Sequence, residues 1–133
     1  ILTMKLEYLD ATGNGEFPDA SPARLVRLSQ FNPEQIALLI DAIQWLVYSK
    51  KDIWLNELPF IDAINCKLKL VISDEDDGIS PDGDYEVFIC ALTTHSYERM
   101  VEIITRVETG HNWLTPGDYL DDPAFLISRF GSW

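Results

Sequence analysis

Apolar and polar positions alternate from the start of the chain, with Leu2, Met4, Leu6 and Tyr8 set against Thr3, Lys5 and Glu7. A period of two puts each set on its own face of an extended backbone, so a strand with one buried face is predicted over 2–9. ATGNGEFPDASPAR follows, rich in Gly, Pro, Asn, Asp and Ser, which break ladders or accept turn geometry, and it reads as a loop. RLVRLSQF, residues 24–31, reads as a second strand. The loop between them is too short for a crossover helix, so an antiparallel pair is expected.

The period then lengthens. Asn32-Pro33-Glu34-Gln35 is a helix start: Asn accepts from orphan N–H groups, Pro at the first helical position loses nothing, and Gln35 completes a capping-box spacing. The helix is predicted to run to about Ser49. At 100° per residue, Ile36, Leu38, Leu39, Ile40, Ala42, Ile43, Leu46 and Val47 cover an arc of about 200°, wider than one sheet face requires. Trp45 and Tyr48 fall beside the polar stripe of Glu34, Asp41 and Gln44. Large aromatics in that place serve core-edge packing or a contact surface, and core-edge packing is the first expectation because scattered surface apolar residues are common.

Residues 52–64 hold apolar residues without a clean period, and Pro59 forbids a central ladder position, so an edge strand or irregular crossing is expected. Cys66, Leu68, Leu70 and Ile72 then alternate with Lys67, Lys69 and Val71 as a strand with one polar face. Its expected partner, Tyr85–Thr93, is apolar almost throughout, as suits a central strand covered on both sides. Asp-Gly at 77–78 and 82–83 is hairpin turn chemistry, making SDEDDGISPDGDYE a long hairpin loop. A second helix follows, with Thr94 as N-cap and Gly110 just past its end. Its buried stripe is Tyr97, Met100, Val101, Ile103, Ile104 and Val107, and its wet face carries Glu98, Arg99, Glu102 and Arg106, with Glu102 and Arg106 in the favourable i,i+4 order. A turn-rich acidic segment and a short strand over 125–130 lead to Trp133, an aromatic terminus whose ordering would imply docking. The order β-β-α-β-β-β-α-β argues an α+β fold: a mostly antiparallel sheet of about five strands with two helices on one face.

The 133 residues suit one domain with a conventional core, at 47% apolar and 24% charged residues. No apolar run approaches the roughly 18 residues of a membrane span. The opening ILTMKLEYLD has neither an initiator Met nor the layout of a signal peptide, so residues are expected before Ile1, or Met4 is the natural start. Cys66 and Cys90 lie in apolar strand-like segments and read as buried free thiols of a cytoplasmic protein. Neither has a second Cys or a His at zinc spacing.

Net charge is −12, and its location matters more than its size. Asp74, Glu75, Asp76, Asp77, Asp82, Asp84 and Glu86 cluster in one segment, and Asp118, Asp121 and Asp122 in another, with no base in either. The remaining 12 acids face all ten bases, so the surplus is local. Carboxylates repel phosphate and the bases form no stripe, which excludes nucleic acid and leaves a cation or a basic protein as partner.

Calcium is the obvious cation, but counting from Asp74 puts Gly78, Ile79 and Tyr85 at positions 5, 6 and 12, where an EF-hand needs an acid or amide, Gly and Glu. An irregular site from Asp74, Asp76, Asp77, Asp118, Asp121 and Asp122 is the weaker alternative to a solvated turn that guards a sheet edge. His95 and His111 have no spacing to Cys66 or Cys90 that predicts a nucleophile–base pair. TGNGEF lacks the third Gly, the helix and the downstream acid of a dinucleotide fingerprint, so no catalytic or cofactor signature is present.

The leading expectation is a non-catalytic interaction protein of inhibitor or immunity type, binding a basic partner through Trp45, Tyr48, Asp74, Glu75, Asp76, Asp77, Asp82 and Asp84, with no cofactor. The alternative is a metal-dependent enzyme or cation binder using carboxylates of 74–86 and 118–122. A two-fold homodimer through the broad apolar arc of 36–47 is a third outcome.

Overall fold

The structure is a computed structural model and describes residues 3–10, 24–83, 86–107, 111–115 and 124–129. Strands β1 (Met4–Asp10) and β2 (Arg24–Ser29) form the expected antiparallel pair, with Tyr8 opposite Val26 and Leu6 opposite Leu28. Helix α1 (Pro33–Ser49) starts as its capping box dictates: the Asn32 side chain accepts from the Gln35 N–H at 2.9 Å, and the Gln35 side chain accepts from the Asn32 N–H at 2.9 Å. It ends on Lys50, whose φ of 57° is left-handed and whose N–H donates to the Leu46 carbonyl at 2.8 Å.

The irregular stretch around Pro59 resolves into two edge strands, β3 (Ile53–Trp54) and β4 (Ile61–Ala63), separated by a single 3-10 turn at Leu55–Glu57. β5 (Lys67–Ile72), β6 (Gly78–Pro81), β7 (Val87–Leu92), helix α2 (Thr94–Arg106), β8 (His111–Trp113) and β9 (Ala124–Ser128) complete the order. β6 and β8 were not foreseen, being only 4 and 3 residues long and set among turn residues.

The α+β class stands, but the strands divide into two sheets, β4-β1-β2-β9-β8 and β3-β5-β7-β6. Both are mixed rather than mostly antiparallel, since β1 with β4, β2 with β9 and β5 with β7 are parallel pairs. Inner positions of both sheets (Leu6, Val26, Leu28, Phe125, Ile127; Leu68, Leu70, Phe88, Cys90) and both helices (Leu39, Ile43, Leu46; Tyr97, Met100, Ile104) share one core. The Tyr8 and Phe88 rings, 5.0 Å apart, join the two sheets within it.

One burial expectation inverts. The strand thought to be covered on both sides alternates: Phe88, Cys90 and Leu92 are buried, but Val87, Ile89 and Ala91 only half-buried. It is β9 that is buried at every position.

The acidic stretch is not one hairpin loop. Because β5 and β7 run parallel, the chain must cross the C-terminal end of β7 before returning as β6 on its far side. Residues 73–77 make that arch, held by Ser73 N–H to the Leu92 carbonyl at 2.9 Å and Asp77 N–H to the Ala91 carbonyl at 3.0 Å. Gly78, at φ 77°, takes a left-handed turn into β6, so Asp77-Gly78 serves a crossover and only Asp82-Gly83 serves a hairpin.

Candidate functional site

The buried line of α1 is Gln35, Leu39, Ile43 and Leu46, and Ile36, Ile40 and Val47 pack half-buried along one shoulder. At 100° per residue the opposite side presents Leu38, Trp45 and Tyr48, with Glu34 and Asp41 among them. Leu38 is 47% exposed, Trp45 50% and Tyr48 91%. The apolar arc is thus narrower than the sequence implied, and Leu38 leaves it. Core-edge packing for the two aromatics gives way to exposure, since the helix presents them to solvent rather than to either sheet.

Beside this face, α1 and α2 bound a groove of ≈ 460 Å³ lined by Gln44, Val47, Tyr48, Glu98, Val101 and Glu102. Val47 and Val101 are half-buried, whereas the two glutamates are exposed and one turn apart on α2. Among the described residues neither glutamate has an ion pair, so the expected Glu102–Arg106 pair is not formed. Tyr48 belongs to both the groove and the exposed face.

The acids expected to act together are separated. β6 is four residues long, which sets the arch of Asp74, Glu75, Asp76 and Asp77 and the turn at Asp82 roughly 13 Å apart at opposite ends of the sheet. All five are exposed. Asp76 is already engaged: its Oδ1 accepts the Thr93 N–H at 2.9 Å and the Thr93 hydroxyl at 3.0 Å. The Thr93 amide first, with the Ser96 and Thr93 hydroxyls, holds its carboxyl below the usual range. Asp84, Asp118, Asp121 and Asp122 lie outside the described residues, as does Gly110. Among the described residues no three His, Cys, Asp or Glu side chains gather as metal ligands, so Asp74, Asp76 and Asp77 form no such set by themselves.

Both cysteines are free and buried, and burial pushes each thiol up to about 12, with the Glu7 charge adding to the effect at Cys66. A thiol so disposed is a small apolar side chain rather than a nucleophile. On the outer side of β1 and β2, the buried Arg27 guanidinium meets Glu7 at 3.0 Å, and the Ser29 hydroxyl lies 3.5 Å from the same carboxylate oxygen. That pair joins residues directly opposite in the ladder and fixes strand register.

Among the described residues no helix is long and apolar enough to cross a membrane. No model of a known protein family matches the chain, and no curated protein matches it in sequence. The groove residues Gln44, Val47, Glu98, Val101 and Glu102 were missed as a set. The one legible signal was Glu98 and Glu102 at i,i+4, a like-charge spacing that weakens an isolated helix.

Proposed function

We propose that the chain is a non-catalytic interaction protein that holds a basic protein partner against the exposed face of α1, in the manner of a cytoplasmic inhibitor or immunity-type protein. The observation that carries this is the solvent-facing trio Leu38, Trp45 and Tyr48 on a helix whose other side is firmly buried. Glu34 and Asp41 stand among these residues, Glu98 and Glu102 line the adjoining groove, and the chain carries −12 overall. An acidic rim around apolar anchors suits a partner of opposite charge, since the rim speeds encounter and the anchors hold.

Magnitudes support the division of labour. Full burial of a large apolar side chain contributes about 1.5–3 kcal/mol, and because Leu38 and Trp45 are already about half-covered the trio has roughly two side chains' worth left to bury, of order 3–6 kcal/mol. Association costs about 4–15 kcal/mol in lost freedom. The trio alone is therefore insufficient for tight binding, and the carboxylates must contribute, which makes the complex salt-sensitive. The same charge disfavours a second copy as occupant, because it sets like charges face to face.

A photo-crosslinking residue placed at Trp45 or Tyr48 in the cell, with Glu57 as an exposed control site, tests this. The expected result is one predominant basic protein attached at 45 and 48 but not at 57. Adducts only with the chain itself would establish a dimer instead, and identical adducts at all three sites would defeat the proposal.

A further inference from the structure

We infer that the groove between α1 and α2 receives an arginine side chain of the partner, a deepening that rests on the interaction proposed above. Its floor, Val47 and Val101, is apolar and half-buried and fits a methylene stem. Its rim offers Glu98 and Glu102, two carboxylates one helical turn apart that have no ion-pair partner among the described residues. At that spacing the two charges repel, and one cation between them relieves the repulsion while each glutamate gains a partner. Tyr48, 91% exposed, adds a ring on which a flat cation can stack.

Other occupants fit less well. An aliphatic side chain would remove water from two carboxylates and return nothing. A bare metal ion lacks a third ligand, since no three candidate side chains gather among the described residues. Arginine is preferred to lysine because a planar fork of five donors can face two carboxylates and a ring together, whereas an ammonium is a compact, strongly hydrated point charge.

The probe is a short acetylated peptide with two arginines separated by glycine, titrated into the full ¹⁵N-labelled chain and compared with peptides carrying citrulline or lysine in their place. Saturable amide shifts at 44–48 and 98–102 are expected with arginine, none with citrulline, and several-fold weaker binding with lysine. Glu98→Gln with Glu102→Gln should weaken arginine binding at least tenfold without lowering Tm, both side chains being exposed, and Tyr48→Ala serves as a second variant. Equal binding of the citrulline peptide, or shifts that never saturate, would overturn the assignment. Saturable shifts confined to the Leu38 and Trp45 side would overturn the groove but leave the basic partner standing. Loss of crosslinks at 45 and 48, with the groove still binding arginine, would remove the partner interaction and leave the groove.

Discussion

Asp76 takes both polar hydrogens of Thr93 on one carboxylate oxygen, the backbone N–H at 2.9 Å and the hydroxyl at 3.0 Å. Thr93, rather than the Thr94 expected from sequence, is the N-cap of α2, and its hydroxyl oxygen in turn accepts the Ser96 N–H at 3.2 Å. In a capping box the N-cap amide is satisfied by a side chain three residues into the helix; here Ser96 holds that position and a residue 17 earlier performs the task. The acidic arch is thereby part of the helix terminus, where negative charge also complements the helix dipole.

Asp76→Ala should lower stability by about 0.5–1 kcal/mol, the modest end of the range for lost caps because the carboxylate is exposed. That corresponds to a Tm decrease of a few degrees, whereas Asp74→Ala should fall within about 0.5 kcal/mol of the parent. The pH dependence has a definite sign. A carboxyl whose folded pKa is lowered stabilises the protein above its unfolded pKa, near 3.9, and loses that contribution as pH falls through the folded value. Thermal unfolding of parent and variant should therefore differ most at neutral pH and converge in acid. A gap that widens below pH 4 would contradict the capping role.

Tyr97 is fully buried, with its hydroxyl 2.9 Å from the Val71 carbonyl and 2.8 Å from that of Cys90, sharing one proton between neighbouring strands. Burial, first among the causes, raises its pKa, so the phenol stays a neutral donor. Tyr97→Phe keeps the ring and removes the donor, and should cost about 1–2 kcal/mol. Urea unfolding should show a lower midpoint with an unchanged slope.

With both thiols pushed up to about 12, thiolate at pH 8 is scarce, on the order of one part in ten thousand, and burial bars the reagent. Iodoacetamide should leave the native mass unchanged and add two groups once denaturant is present. Rapid alkylation of either thiol in the folded protein would reopen cysteine chemistry.

What was legible followed from local rules. The Asn32 capping box fixed the start of α1, and the alternation of Met4, Leu6 and Tyr8 fixed the inner face of β1, because each signal is complete within a few residues. What was lost depends on pairing. Val87 to Leu92 is apolar whether it has one partner or two, and nothing local tells a crossover at Asp77-Gly78 from a hairpin at Asp82-Gly83. The candidate site was half legible for the same reason. Trp45 and Tyr48 stood out by size and position, but Glu98 and Glu102 become their neighbours only through the packing of two helices distant in sequence.

Lys50 gives the last prediction, and it raises stability. At φ 57° and ψ 29° it occupies the left-handed region, where a Cβ crowds the following carbonyl at roughly 1–2 kcal/mol, a cost glycine does not bear. The side chain is exposed, so little packing is lost on its removal, and the cap bond from its N–H to the Leu46 carbonyl is a backbone bond that survives substitution. Against this gain, glycine adds freedom to the unfolded chain, worth about 0.4–1 kcal/mol. The balance favours Lys50→Gly by about 0.5–1 kcal/mol, a Tm increase of a few degrees. Lys51→Gly, next in the chain and absent from the left-handed positions, has no strain to relieve and should lower Tm slightly. Because the two variants remove the same charge, their opposite signs isolate the backbone conformation as the cause. Equal shifts in one direction would mean that charge, not the left-handed cap, sets the outcome at the end of α1.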